Sequence, residues 1–117
     1  MSRRSFSNPD EPPNRRAIRK SQVSTPQQWL VELMQQVGYG TIKNLVVANR
    51  EPLSNPAPRK RRRYKLTGPG RRRLEVPTGD FILKEPVLNL FELMDEIVNG
   101  TVMIEVADGL PADVTIE

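Results

Sequence analysis

The most distinctive chemistry of the chain lies in a run of cations between residues 59 and 73, Arg-Lys-Arg-Arg-Arg-Tyr-Lys-Leu-Thr-Gly-Pro-Gly-Arg-Arg-Arg. This run holds nine Lys or Arg residues and no Asp or Glu. Like charges repel one another, so such a cluster is easiest to understand if an anion binds it. Basic clusters of this kind contact the phosphate backbone of nucleic acids. The run therefore predicts a polyanion site, and nucleic acid, either DNA or RNA, is the first hypothesis for its ligand.

A β-hairpin over residues 59–76 is the element predicted to position these cations. Residues 67–70, Thr-Gly-Pro-Gly, are a turn signal, and apolar residues recur with a period of two on both sides of it. In this hairpin most cations project outward and four residues face inward: Tyr64, Leu66, Leu74 and Val76. The alternative is an edge hairpin whose charges only prevent strand pairing.

Residues 1–24 form a second basic segment, with prolines at positions 9, 12 and 13 and almost no residues that a core would bury. This composition predicts a disordered basic N-terminal arm. The predicted nucleic-acid-binding residues come from the hairpin and the arm together: Arg59, Lys60, Arg61, Arg62, Arg63, Tyr64, Lys65, Arg71, Arg72, Arg73, Arg15, Arg16, Arg19 and Lys20.

A repeated pattern predicts the elements that carry these segments. Residues 30–42 and 90–102 share apolar positions at i, i+3, i+4 and i+7, then Gly-Thr and a β-like alternation. The first spacing is that of an amphipathic helix and the second that of a half-buried strand. Thr25 is predicted to cap the first helix. Residues 101–107, Asp-Gly and residues 110–116 predict a hairpin after the second helix.

The fold predicted from this pattern is α+β, with two repeated helix–β-hairpin units that pack their helices on one face of an antiparallel sheet. The predicted divisions are the arm (1–24), the first helix–strand repeat with a proline-rich connection (25–58), the basic hairpin (59–76) and an acidic second repeat (77–117). The predicted core consists of Leu30, Leu33, Met34, Val37, Ile42, Val46, Phe81, Leu83, Leu90, Leu93, Met94, Ile97, Val102, Ile104 and Val106.

Charge is distributed unevenly along the chain. Residues 1–73 hold 17 of the 18 Lys and Arg residues and only 4 of the 14 Asp and Glu residues. Such polarity has a second interpretation, in which the basic part binds an acidic protein or the acidic part of another copy. The alternative function is therefore a protein–protein adaptor or a structural subunit, and homo-oligomers are one form of it.

Enzymatic activity is not expected. The chain has no cysteine and no histidine, which removes thiolate chemistry, most zinc sites and the usual proton shuttle near neutral pH. No glycine-rich phosphate loop or catalytic constellation is visible, so neither a cofactor nor a metal is predicted. No apolar run is long enough to span a membrane. The absence of cysteine is compatible with a reducing cytoplasmic setting.

Residues 99–111, Asn-Gly-Thr-Val-Met-Ile-Glu-Val-Ala-Asp-Gly-Leu-Pro, and the helix before them resemble the small bacterial YezD-like proteins. The resemblance covers about residues 88–117 and transfers no catalytic or binding residue. It implies a helix–hairpin unit and a bacterial origin. The first repeat departs from the pattern, because Asn-Arg-Glu replaces Asp-Gly at its turn.

Overall fold

The fold is α+β, with two helices and a curled, five-stranded antiparallel sheet. The structure is a computed structural model, and it describes residues 17–64, 66 and 79–117. The helices are α1 (Thr25–Val37) and α2 (Glu85–Ile97). The strands are β1 (Gly40–Ala48), β2 (Glu51–Pro52), β3 (Arg59–Arg62), β4 (Gly100–Ala107) and β5 (Leu110–Ile116).

The long strands β1 and β4 pair antiparallel at the centre of the sheet. On the far side of β4 lies β5, which joins it through the tight turn Asp108–Gly109. Two short strands share the other side of β1: β2 pairs with its C-terminal end and β3 with its N-terminal end. Thus β3 and β5 lie at opposite sides of the sheet.

Both helices pack on one face of this sheet, as predicted. Alternate residues of β1 and β4 are buried, and they join the buried residues of α1 and α2 in a single apolar cluster. The residues between them on each strand are only half-buried, so the second face of the sheet has no helix against it in the described chain. The cluster comprises Leu30, Val31, Leu33, Met34, Val37, Ile42, Leu45, Val47, Leu83, Val87, Leu88, Leu90, Phe91, Met94, Val102, Ile104 and Val106.

A β-bulge in β1 makes one core prediction wrong. The register between β1 and β4 shifts between Ile42 and Leu45, and Asn44 in this interval has φ 61°. One extra residue reverses the side on which every later side chain lies. Leu45 and Val47 therefore enter the core, whereas Val46, which was predicted to be buried, faces away from it.

The buried face of α2 is also rotated relative to the prediction. Val87, Leu88 and Phe91 are buried, whereas Leu93 and Ile97 are only partly buried, and Ile97 packs against the core. Phe81 likewise packs against the core without being fully buried. When the apolar stripe of a helix is broad, the spacing of its apolar residues does not show which of them lie at its centre and which at its margin.

The helix ends are set by local hydrogen bonds, and one of them differs from the prediction. Ser24, not Thr25, caps α1: its hydroxyl accepts a hydrogen bond from the Gln27 N–H, and the Gln27 side chain accepts one from the Ser24 N–H. The capping box thus begins one residue earlier than predicted. Both helices end in a residue of positive φ, Gly38 (72°) and Val98 (65°), whose N–H donates to a methionine carbonyl one turn earlier.

The turn between β4 and β5 completes the C-terminal end of α1, and the turn between β1 and β2 completes that of α2. The Gly109 N–H donates to the Gly38 carbonyl, and the Arg50 N–H donates to the Val98 carbonyl, both at 2.8 Å. Side chains add to both junctions. The Tyr39 hydroxyl donates to Asp108 at 3.3 Å, and the Asn49 N–H donates to the Asn99 side-chain oxygen at 2.9 Å.

Residues 17–24, which were predicted to belong to a disordered arm, are docked on the fold. Arg19 pairs with Ile82 in an antiparallel bridge, and a 3₁₀ turn follows over Lys20–Gln22. Ile18 and Val23 pack against the core. The segment is therefore ordered by contacts distant in sequence, and the prediction of disorder is wrong for these eight residues. Residues 1–16 lie outside the described residues.

Asp80 holds this docked segment through its side chain. The Ser21 hydroxyl and the Ser21 N–H donate to its two carboxylate oxygens at 2.8 and 3.0 Å. These hydrogen bonds, the hydroxyl's first, hold the pKa of Asp80 below its ordinary value. Because the folded state favours the ionised carboxylate, Asp80 stabilises the fold above its ordinary pKa, and this contribution is lost as the pH falls through its folded pKa.

Replacing Ser21 by Ala is expected to raise the pKa of Asp80 toward its ordinary value, because the hydroxyl is the strongest of the groups that lower it. An NMR titration of the Asp80 carboxyl carbon in both proteins measures the shift. An unchanged Asp80 titration would show that the hydroxyl bond does not hold the segment.

Candidate nucleic-acid interface

The strand β3 presents the first cations of the basic run along one edge of the sheet. Its register with β1 pairs Arg61 with Thr41 and Lys60 with Ile42. Because paired residues share a face and Ile42 is buried beneath the helices, Lys60 and Arg62 lie on the helix side of the sheet. Arg59 and Arg61 lie on the opposite, open side. The cations therefore flank the strand on both sides.

Gly40 permits this pairing. It has φ 154°, and a Cβ placed on it would lie 1.8 Å from the Arg61 carbonyl oxygen. No real Cβ approaches an atom so closely, so only glycine allows the two backbones to meet here. The ladder continues one step beyond the strand, where the Arg63 N–H donates to the Tyr39 carbonyl at 2.7 Å. In the sequence Gly40 is a possible helix cap, and nothing around it indicates its role in seating β3.

All six residues from position 59 to position 64 are exposed. Tyr64 is 50% and Leu66 is 84% exposed, so the prediction that these two face inward is wrong. The physical reason is that Arg59–Arg62 pairs with β1 and the described strand stops at Arg62, before either residue. The Arg62 guanidinium lies over the Tyr64 ring, 5.3 Å from its centroid, an arrangement that places a cation and an aromatic ring side by side.

Within the part of the chain that the structure describes, no carboxylate forms an ion pair with residues 59–63. Five consecutive positive charges thus face solvent at the edge of the sheet. The repulsion among these charges is reduced when an anion binds between them. This arrangement suits a chain of phosphate groups better than a single buried anion, because the side chains spread along the strand instead of converging on one point.

Two other predicted binding residues are engaged within the fold. The Arg19 Nη1 lies 3.7 Å from an Asp80 carboxylate oxygen, and the Lys20 Nζ lies 2.6 Å from a Glu32 carboxylate oxygen. Lys20 also lies over the Phe81 ring, 5.9 Å from its centroid. Arg19 and Lys20 therefore have partners within the fold, unlike the exposed cations of β3. The partners Glu32 and Asp80 are distant in sequence, so no local pattern could have shown this.

The remaining predicted binding residues lie outside the described part of the chain: Arg15, Arg16, Lys65, Arg71, Arg72 and Arg73. The second arm of the predicted hairpin, with Leu74 and Val76, lies there as well. The hairpin over residues 59–76 thus stays a prediction, while its first strand is placed on β1.

Among the described residues, no three Asp or Glu side chains come together in a way that could hold a metal ion. Neither of the two described helices is long and apolar enough to cross a bilayer.

Comparison of the chain with protein-family models, with curated proteins and with solved structures gives no match. The resemblance of residues 88–117 to the YezD-like proteins stays a prediction. Function is therefore inferred from the geometry and charge of the chain itself.

Proposed function

We propose that this protein is a small, non-enzymatic nucleic-acid-binding protein whose edge strand β3 contacts phosphates. The observation that carries the proposal is the row of exposed cations at residues 59–63, which has no ion-pair partner among the described residues. Phosphate contacts of Arg and Lys supply most of the affinity in sequence-independent binding.

The rest of the cationic run strengthens this proposal. Lys65 and residues 71–73 follow β3 closely in sequence, and they add four positive charges to the same stretch of the chain. Aromatic residues make up only 5% of the chain, which favours contact with the phosphate backbone over base stacking. Tyr64, exposed beside Arg62, is the described ring best placed to touch a base.

The proposal extends to the origin and setting of the chain. Matching cap hydrogen bonds at Gly38 and Val98, and the reciprocal turn contacts of the two helix–hairpin segments, support an internal duplication. A bacterial source and a cytoplasmic setting complete the proposal; the first is supported by the resemblance of residues 88–117, and the second by the lack of cysteine.

A salt titration of binding to labelled duplex DNA and to single-stranded RNA tests the proposed site. The double variant Lys60→Gln/Arg62→Gln should flatten the dependence of log affinity on log salt by about 1.8 for the duplex, because each phosphate contact contributes about 0.9 to the slope. The protein is treated with nuclease beforehand.

The matched control is Arg19→Gln/Lys20→Gln, which removes the same charge from residues that already have carboxylate partners. This variant should leave the slope nearly unchanged. Equal losses in the two double variants would show that net charge, not β3, drives binding. Absence of binding by the unaltered protein at low salt would overturn the proposed function and favour an acidic protein partner.

A further inference from the structure

The open face of the sheet is a second described surface, and it shares only Arg59 and Arg61 with the proposed phosphate site. It is formed by the strand residues that alternate with the buried ones, and most of them are half-buried. On the central strands β1 and β4 this face carries apolar side chains and threonines together with one cation and one carboxylate: Thr41, Lys43, Val46, Thr101, Met103, Glu105 and Ala107.

Charge changes sign across this face. The register places four residues in one row perpendicular to the strands: Arg61 on β3, Thr41 on β1, Glu105 on β4 and Asp113 on β5. The Thr41 hydroxyl donates weakly to the Glu105 carboxylate, at 3.4 and 3.5 Å from its two oxygens. Arg59, two residues from Arg61, adds a second cation to the same side. The β1 and β3 side of the face, with Lys43, Arg59 and Arg61, is therefore basic, and the β4 and β5 side, with Glu105 and Asp113, is acidic.

We infer that two copies of this chain pack through their open sheet faces, related by a two-fold axis parallel to the strands. Such an axis exchanges the two margins, so Arg61 of each copy lies over Asp113 of the other. Sheets that pack face to face lie about 10 Å apart, a gap that an arginine side chain crosses to reach a carboxylate. A two-fold interface contains each such contact twice.

The charge pattern also selects between the possible orientations. A two-fold axis in the sheet plane but perpendicular to the strands would place each basic margin over the other copy's basic margin. Like charges brought together in this way repel, and this orientation is disfavoured. The axis parallel to the strands instead pairs opposite charges at both margins, while either axis keeps the strands of the two sheets nearly aligned, as in β-sandwiches.

This association uses Arg59 and Arg61 of the proposed nucleic-acid site but not Lys60 and Arg62, the two residues that the salt titration replaces. Arg59 and Arg61 lie on the open side of β3, whereas Lys60 and Arg62 lie on the helix side. A dimer through the open face therefore leaves Lys60 and Arg62 exposed. It also places the two β3 strands at opposite margins of the assembly.

Light scattering after size exclusion, with nuclease-treated protein over a range of concentrations, tests the inference. The expected mass is twice the 13.3 kDa of the chain. Asp113→Arg and Arg61→Asp should each weaken dimerisation at least tenfold, because each places like charges together at both margins. The combined variant Arg61→Asp/Asp113→Arg restores opposite charges and should recover the dimer.

Glu96→Arg is the matched control, since it makes the same change of charge on an exposed residue of α2, away from the open face. It should leave the dimer intact. A monomer at every concentration, a dimer indifferent to Asp113→Arg, or a combined variant that stays monomeric would each overturn the inference. The experiment measures mass in the absence of nucleic acid. A monomer would therefore overturn the proposed dimer and not the proposed nucleic-acid site, and a failure to bind nucleic acid would not overturn the dimer.

Discussion

Replacing Gly40 by Ala is expected to separate β3 from β1 and to lower the free energy of unfolding by about 3 kcal/mol. The added Cβ would lie 1.8 Å from the Arg61 carbonyl oxygen, 2.8 Å from its carbonyl carbon and 3.0 Å from the Arg62 Cα. All three are backbone atoms, which cannot rotate away as the end of a side chain can. The strand must move as a whole, and alanine is in addition strained at φ 154°.

Urea denaturation measures the loss, and amide exchange at residues 40–43 reports whether the ladder with β3 has opened. Gly79→Ala is the control because Gly79 also has a positive φ, 74°, but nothing lies within 4 Å of the position that its added methyl group would occupy. Similar losses in the two variants would show that backbone strain, not the contact with β3, is responsible. Reduced nucleic-acid binding by Gly40→Ala alone would connect the seating of β3 with the proposed function.

Replacing Leu45 by Ala is expected to cost about 2–5 kcal/mol of stability, the range for a leucine deleted from a well-packed core. Leu45 is 0% exposed and belongs to the cluster beneath the two helices. The same change at Val46, one residue later and on the open face, should cost about 1 kcal/mol or less. The difference between two adjacent residues is a direct measure of the bulge that separates them.

The two losses of stability are measured from the denaturation midpoints of the variants, provided that the free energy of unfolding depends equally on denaturant concentration in both. Strict alternation from Ile42 would bury Val46 and expose Leu45, so a larger loss at Val46 would contradict the register between β1 and β4. Ile104→Val provides a reference in the adjacent strand, since Ile104 is 0% exposed and the change removes a single methylene. It is expected to cost about 0.5–1.5 kcal/mol.

The helices and the last hairpin were predictable because their signals are local. Apolar spacing indicated both helices, and Asp-Gly marked the turn between β4 and β5. The bulge at Asn44 was not predictable in the same way, since an extra residue in a strand depends on its partner. Cap assignment failed by one residue because Ser24 and Thr25 both offer a hydroxyl, and only Ser24 also meets Glu51, at 2.6 Å.

The basic run itself was conspicuous in the sequence, but its seating was not. That Arg59–Arg62 pairs with β1 depends on the close approach at Gly40, which no pattern within the run indicates. The roles of Arg19 and Lys20 were not predictable from the sequence either. As cations in a proline-rich segment they resembled Arg15 and Arg16, and only contacts with Asp80 and Glu32 distinguish them.

The exchange of turn amides between the two helix ends has a consequence for how the chain folds. Among the described residues, the Gly38 and Val98 carbonyls each accept a backbone hydrogen bond only from the turn that follows the other helix and its strand. Neither segment therefore completes its own helix, and partial unfolding of one exposes an unpaired group in the other. Loss of structure should be cooperative, as a single two-state transition. We expect refolding to require contact between these two segments, which are far apart in sequence. The entropic cost of closing the loop between them rises only with the logarithm of its length.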